Sequence, residues 1–109
     1  MQGYSFRDKV KATHKRRAIA VAAPGSFDKY DVLARLGKQG HLCHYCKVPL
    51  FFSGRNKYQV EHFVPLSRGG SNWATNIVIA CPECNRRKAS AMPHEFMPER
   101  FKEGGGRDA

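Results

Sequence analysis

The sequence predicts an α+β fold. Two short strands form a hairpin with a long loop between them, packed on a helix, and another helix precedes the hairpin. Three observations lead there. Cysteines recur as Cys43-x2-Cys46 and Cys81-x2-Cys84. Two runs that read as strands, "YQVEHF" at 58–63 and the apolar, β-branched "NIVIA" at 76–80, lie between those pairs. A stretch of helical period stands before them, and a basic segment suited to a helix follows.

Taken in order, residues 1–25 form a basic arm, with Arg7, Lys9, Lys11, Lys15, Arg16 and Arg17 against Asp8. Residues 5–20 can form a helix, on DNA or alone, or remain a solubilising arm. Pro24-Gly25 closes this segment. The domain proper is expected over 26–103, with its central part at 40–90, and "GGGRDA" at 104–109 reads as a disordered tail. Ser26 or Asp28 can cap a helix from about Lys29 to Lys38. Val32, Leu33 and Leu36 supply its apolar stripe, and Gly37 or Gly40 its stop. "HLCHYCKVPLFF" at 41–52 predicts a tight turn followed by a short apolar strand, with "SGRNK" at 53–57 as the next turn. A long loop, Pro65 to Thr75, joins the two later strands. Pro82 suits the first turn of a helix beginning near the last cysteine pair. Residues 92–103 add one or two helical turns, with Phe96 and Phe101 closing over the core.

Charge bears on partners more than on fold. The chain has 109 residues, with 19 Lys+Arg against 9 Asp+Glu and a net charge of +10. Nucleic acid is the indicated partner, with a merely solvated basic surface as the alternative. A membrane surface is not indicated, because no basic amphipathic helix carries a Trp/Leu face. The longest apolar run, "AIAVAAP" at 18–24, is too short to span a bilayer. It also starts too late and lacks the Leu or Phe of a signal peptide. The chain is therefore expected in the cytoplasm, where cysteines serve as metal ligands more often than as disulfides.

Two Cys-x2-Cys pairs can close a tetrahedral four-thiolate zinc site. Such a site leaves no open coordination position, so Cys43, Cys46, Cys81 and Cys84 are read as a structural staple. Disulfides, a redox pair, or His41 or His44 replacing a cysteine are the alternatives. A domain of roughly 65–80 ordered residues has a marginal core and gains from such a staple. His14, His41, His44 and His94 are given no role and are expected to be solvated. Phe63 and Trp73 are read as loop anchors, with base stacking as the alternative.

Between and after the cysteine pairs lie Glu61-His62, then Pro65-x-Ser67-x-Gly69-Gly70, then Asn76 opening "NIVIAC", then "CPECNRRK". In this order the motifs resemble the HNH endonuclease family, nucleases of the ββα-metal fold, and small phage and prophage members in particular. The resemblance covers roughly residues 40–90. It implies a metal-dependent DNA endonuclease with weak sequence preference, which nicks or cuts both strands. His62 would be the general base, Glu61 and Asn85 the ligands of a catalytic divalent ion, and Asn76 the residue that pins the loop and helps orient His62. Family members often have Asp where this chain has Glu61, and His where it has Asn85. Oxygen donors favour Mg²⁺ or Mn²⁺, and the longer Glu61 also admits Ni²⁺. Taken singly, Asn85 can be only a cap or turn residue.

The chemistry needs such groups in any case. Cleavage of a phosphodiester requires a base for water and a cation on the phosphate. Arg55, Lys57, Arg68, Arg86, Arg87 and Lys88 are the cations expected to meet DNA. If catalysis is absent, a zinc-stapled nucleic-acid-binding module is the alternative, with a thiol redox protein a weaker one. A monomer or weak dimer is expected. Association with phage DNA-packaging proteins is a further implication of the resemblance.

Overall fold

A computed structural model describes residues 23–102. The proposed arm helix at 5–20 and the tail at 104–109 lie outside them. The described elements are α1 (Lys29–Lys38), β1 (Gln59–His62), β2 (Ile77–Ala80), α2 (Pro82–Lys88) and α3 (Pro93–Phe96). Two single 3₁₀ turns, Leu66–Arg68 and Ala74–Asn76, break the long loop.

Asp28 starts α1. Its Oδ1 accepts from the backbone N–H groups of Tyr30 and Asp31, each at 3.0 Å, and Asp31 Oδ2 accepts from the Asp28 N–H at 2.9 Å. This reciprocal cap satisfies amides that a helix start leaves unpaired, and is worth about 1 kcal/mol. Val32 and Leu36, one turn apart, are buried against β2, whereas Leu33 is 45% exposed. The expected three-residue stripe is thus two residues wide, because a single small sheet covers only a narrow face of the helix. Gln39 ends the helix, and Gly40 and His41 follow with φ of 67° and 61°. The Gln39 amide then acts as a substitute strand. It donates to Ile79 O at 2.8 Å and accepts from Ile79 N at 2.9 Å, so the outer edge of β2 is covered.

β1 and β2 pair antiparallel, with Glu61 opposite Val78 and His62 opposite Ile77. Every residue of β2 is buried, which suits its unbroken apolar sequence. No strand forms at 48–52. That stretch makes only isolated bridges, Leu42 to Pro49 and Phe51 to Lys57. Pro49 has no N–H to extend a ladder, and Lys47 turns the chain with φ of 69°.

Gly69 and Gly70 are required for different reasons. Gly69 ends its 3₁₀ turn at φ of 92°. A Cβ on Gly70 would collide with the Val64 carbonyl. Val32, Leu36, Tyr45, Leu50, Phe63 and β2 form the core. Phe96 and Phe101 pack on it as expected. Arg100 ties the C-terminal segment down by donating to the carbonyls of His44 at 2.9 Å and Tyr45 at 2.5 Å. His44 is not solvated: its ring stacks near Phe101 and meets Tyr45 and Phe63 edge-on.

Candidate metal centre and active site

The cysteine cluster is built by two turns that face each other. The turn at 43–46 is closed by Cys43 N–H to Val48 O at 2.8 Å and by Lys47 N–H to Cys43 O at 3.0 Å. Cys81 is the N-cap of α2, and Pro82 fills the first helical position, where no N–H is needed. All four sulfurs lie within 4.8 Å of one another, and Cys46 and Cys81 Sγ are 3.7 Å apart. Zinc–sulfur bonds of tetrahedral geometry put sulfurs about 3.8 Å apart. The thiols are not disulfide-bonded. Cys43 Sγ accepts N–H groups from Tyr45 and Cys81 at 3.4 Å and from Cys46 at 3.5 Å. Burial pushes the Cys43 thiol up, but these donors outweigh it and leave it below its usual range. Burial, then the charge of Cys43, pushes Cys84 up. Four sulfur donors this close can hold a cation among them, and the donor set fits zinc.

The second cluster lies where β1 meets α2 and the long loop. Glu61 is 5% exposed and Lys88 1%. Lys88 Nζ donates to Glu61 Oε2 at 2.8 Å and to His62 O at 3.2 Å. Tyr45 donates its hydroxyl to Glu61 Oε1 at 2.5 Å. Burial raises the Glu61 carboxyl, and Lys88 pulls it back in part. Tyr45 is raised by burial, then by Glu61, so its hydroxyl stays a donor. Lys88, expected at a phosphate, is instead an internal cation, because α2 places it three residues beyond Asn85 and over the strand.

His62 has other partners. Its Nε2 lies 2.8 Å from Asn72 Oδ1, and the ring meets Phe27 edge-on. An amide oxygen only accepts, so this contact suits the tautomer with the proton on Nε2. Strand pairing continues through His62. The two neighbours on this strand serve different surroundings, Glu61 meeting Lys88 and His62 meeting Asn72. Asn85 donates to Gln59 Oε1 at 2.7 Å. Glu61, His62 and Asn85 thus have separate partners. Glu61 and Asn85 are nevertheless on one side, since Gln59 and Glu61 are two apart on β1 and share its α2-facing surface.

Asn76 joins the loop ends. It accepts from Val64 N–H at 2.9 Å and donates to Val64 O at 3.0 Å and Ser71 O at 2.8 Å. Among the expected surface cations, Arg55, Lys57 and Arg87 are exposed. Arg86 pairs with Glu83 at 2.9 Å, and Arg68 pairs with Glu95 through two bonds, at 2.7 and 3.2 Å. Phe63 is a core residue, and Trp73 is 54% exposed. Sequence reasoning missed Asn72, Tyr45 and Gln59. Tyr45 carried a signal, being an aromatic enclosed in a Cys-x2-Cys turn. Asn72 carried none, because its ten-residue separation from His62 depends on the path of the loop.

Residues 43–91 match the model of the HNH endonuclease family. This stretch belongs to that family. The chain is also 38% identical, over 48 residues, to the Type IV methyl-directed restriction enzyme EcoKMcrA of Escherichia coli (strain K12). That match covers 41% of this chain and 17% of the relative. The Type II-C Cas9 enzyme from Actinomyces naeslundii shares the fold at 24% identity and a TM-score of 0.55. Its match covers 86% of this chain and 10% of the Cas9 chain. This chain therefore spans only a small part of either protein's length.

Proposed function

We propose that the protein is a metal-dependent DNA endonuclease that hydrolyses phosphodiester bonds with His62 as general base. The observation that carries this reading is the His62–Asn72 contact at 2.8 Å, which suits an imidazole protonated on Nε2 inside a family-matched stretch. In that tautomer Nδ1 takes the proton from the attacking water. Asn76 holds the loop that carries Asn72. Glu61 and Asn85 are the oxygen donors that would hold Mg²⁺ or Mn²⁺, with Ni²⁺ also admitted. When bound, the ion supplies positive charge to the phosphate and the leaving oxygen. Lys88 already neutralises Glu61, so an ion there shares the carboxylate with the ammonium or displaces it.

Cys43, Cys46, Cys81 and Cys84 hold structural zinc and take no part in the chemistry. Arg55, Lys57 and the exposed α2 arginines are the proposed phosphate contacts. No group in them is arranged to read base edges, so weak sequence preference follows. A monomer acting in the cytoplasm would nick, while cutting both strands needs a weak dimer or two successive cuts. A place beside phage DNA-packaging proteins is the biological setting we propose.

One observation favours a second reading, a zinc-stapled nucleic-acid-binding module. Glu61 is occupied by Lys88 and Tyr45. Supercoiled plasmid incubated with the zinc-loaded protein decides between them. Nicked or linear product with Mg²⁺ or Mn²⁺ supports the nuclease. Binding with no product under either ion leaves the module.

A further inference from the structure

We infer that residues 24–27, which precede the family match, form a strap that positions the His62 imidazole through Asn72. Three contacts converge there. The Pro24 carbonyl accepts from the Asn72 N–H at 2.7 Å. Gly25, at φ of 97°, lies so close under the Trp73 indole that a Cβ would overlap the ring. The ring of Phe27 meets that of His62 edge-on at 6.2 Å between centroids. The strap therefore grips Asn72, its neighbour, and the imidazole that Asn72 orients.

The physical reason is that Asn72 sits in a loop, where a backbone is the least fixed part of a fold. Asn76 fastens that loop at Val64 and Ser71 and does not bond Asn72. Pro24 adds an anchor at Asn72 itself. Trp73, although half exposed, covers the Gly25 backbone instead of the core. This accounts for a glycine at position 25 on two grounds, a left-handed φ and an indole in contact. Residues 24–27 are thus positioning residues, acting through Asn72 and the loop, and this role rests on the nuclease reading above.

Gly25→Ala in the full zinc-loaded chain tests it. Trp73 is the chain's single tryptophan, so its emission reports this loop alone. The variant should shift that emission and move the His62 imidazole titration followed by NMR. On plasmid, kcat should fall by about tenfold to a hundredfold, with KM unchanged. Glu99→Gln, at an exposed position outside the strap and the loop, should leave all of these as in the wild type. Unchanged emission and an unchanged imidazole titration in Gly25→Ala would overturn the strap, as would a change in KM alone. If Gly25→Ala does not retain zinc, Phe27→Leu carries the same readouts, because it removes the ring contact without backbone strain. If the wild type does not cut DNA at all, the nuclease reading fails by itself, and emission and imidazole titration still decide the strap.

Discussion

Glu61 and His62 are adjacent in sequence, yet they meet different chemistry. Glu61 is held by Lys88 and Tyr45 in a buried ion pair, and His62 by Asn72. Removing one partner of a buried pair strands a charge, which typically costs 3–5 kcal/mol. Lys88→Met should therefore lower the unfolding free energy by about that amount, measured by urea denaturation in excess zinc. A loss under ~1 kcal/mol would show that the pair is solvated. The surface pair Arg68–Glu95 behaves differently. Hydrogen bonds from Arg68 hold the Glu95 carboxyl at about 2, against an ordinary 4.5. A depressed carboxyl adds stability above its unfolded value, and that stability is lost as pH falls toward the folded value. The gap in urea midpoint between wild type and Glu95→Gln should therefore be full at pH near 7 and narrow below about pH 4.5. Motif order singled out Glu61, His62 and Lys88. The Glu61–Lys88 pair was not, because it depends on α2 crossing β1 at a particular height.

At the scale of elements, α1 was legible because its cap, apolar period and glycine stop agree locally. Its bounds, Lys29–Lys38, are those expected from Asp28 and Gly40. The expected strand at 48–52 failed because apolar composition cannot supply a partner, and Pro49 removes a donor. The long loop is less irregular than its Pro, Gly and Ser content suggests. Two 3₁₀ turns and the three bonds of Asn76 give it a fixed path. Asn76→Ala leaves the Val64 amide and the Val64 and Ser71 carbonyls without that partner. About 1–3 kcal/mol of destabilisation should follow, measured by urea denaturation, with faster amide exchange confined to residues 64–76. Uniform exchange across the chain would mean that Asn76 acts on the whole fold and not on the loop.

At the scale of the whole molecule, the hairpin cannot stand alone. A two-stranded sheet is marginal in water, and this one is supported by α1 on one side and the cysteine turns at its ends. A metal held by the four cysteines would then be part of folding. Cys84→Ser should fail to retain zinc and lose near-UV circular dichroism, and chelation of the wild type should do the same. A folded, metal-free Cys84→Ser would show that the apolar core suffices. The four-cysteine grouping was the most legible large-scale feature, since spacing alone defines each chelating turn. Contacts made by residues 24–27 to the His62 loop were not legible, as they join segments about 35 to 50 positions apart without any periodic signal. The proposed catalytic role of His62 is tested most directly by supercoiled plasmid cleavage, comparing wild type with His62→Ala at equal zinc content. His62→Ala should bind DNA and keep its zinc while producing no nicked or linear plasmid in Mg²⁺ or Mn²⁺. Cleavage by His62→Ala at the wild-type rate would contradict the assignment of His62 as the base.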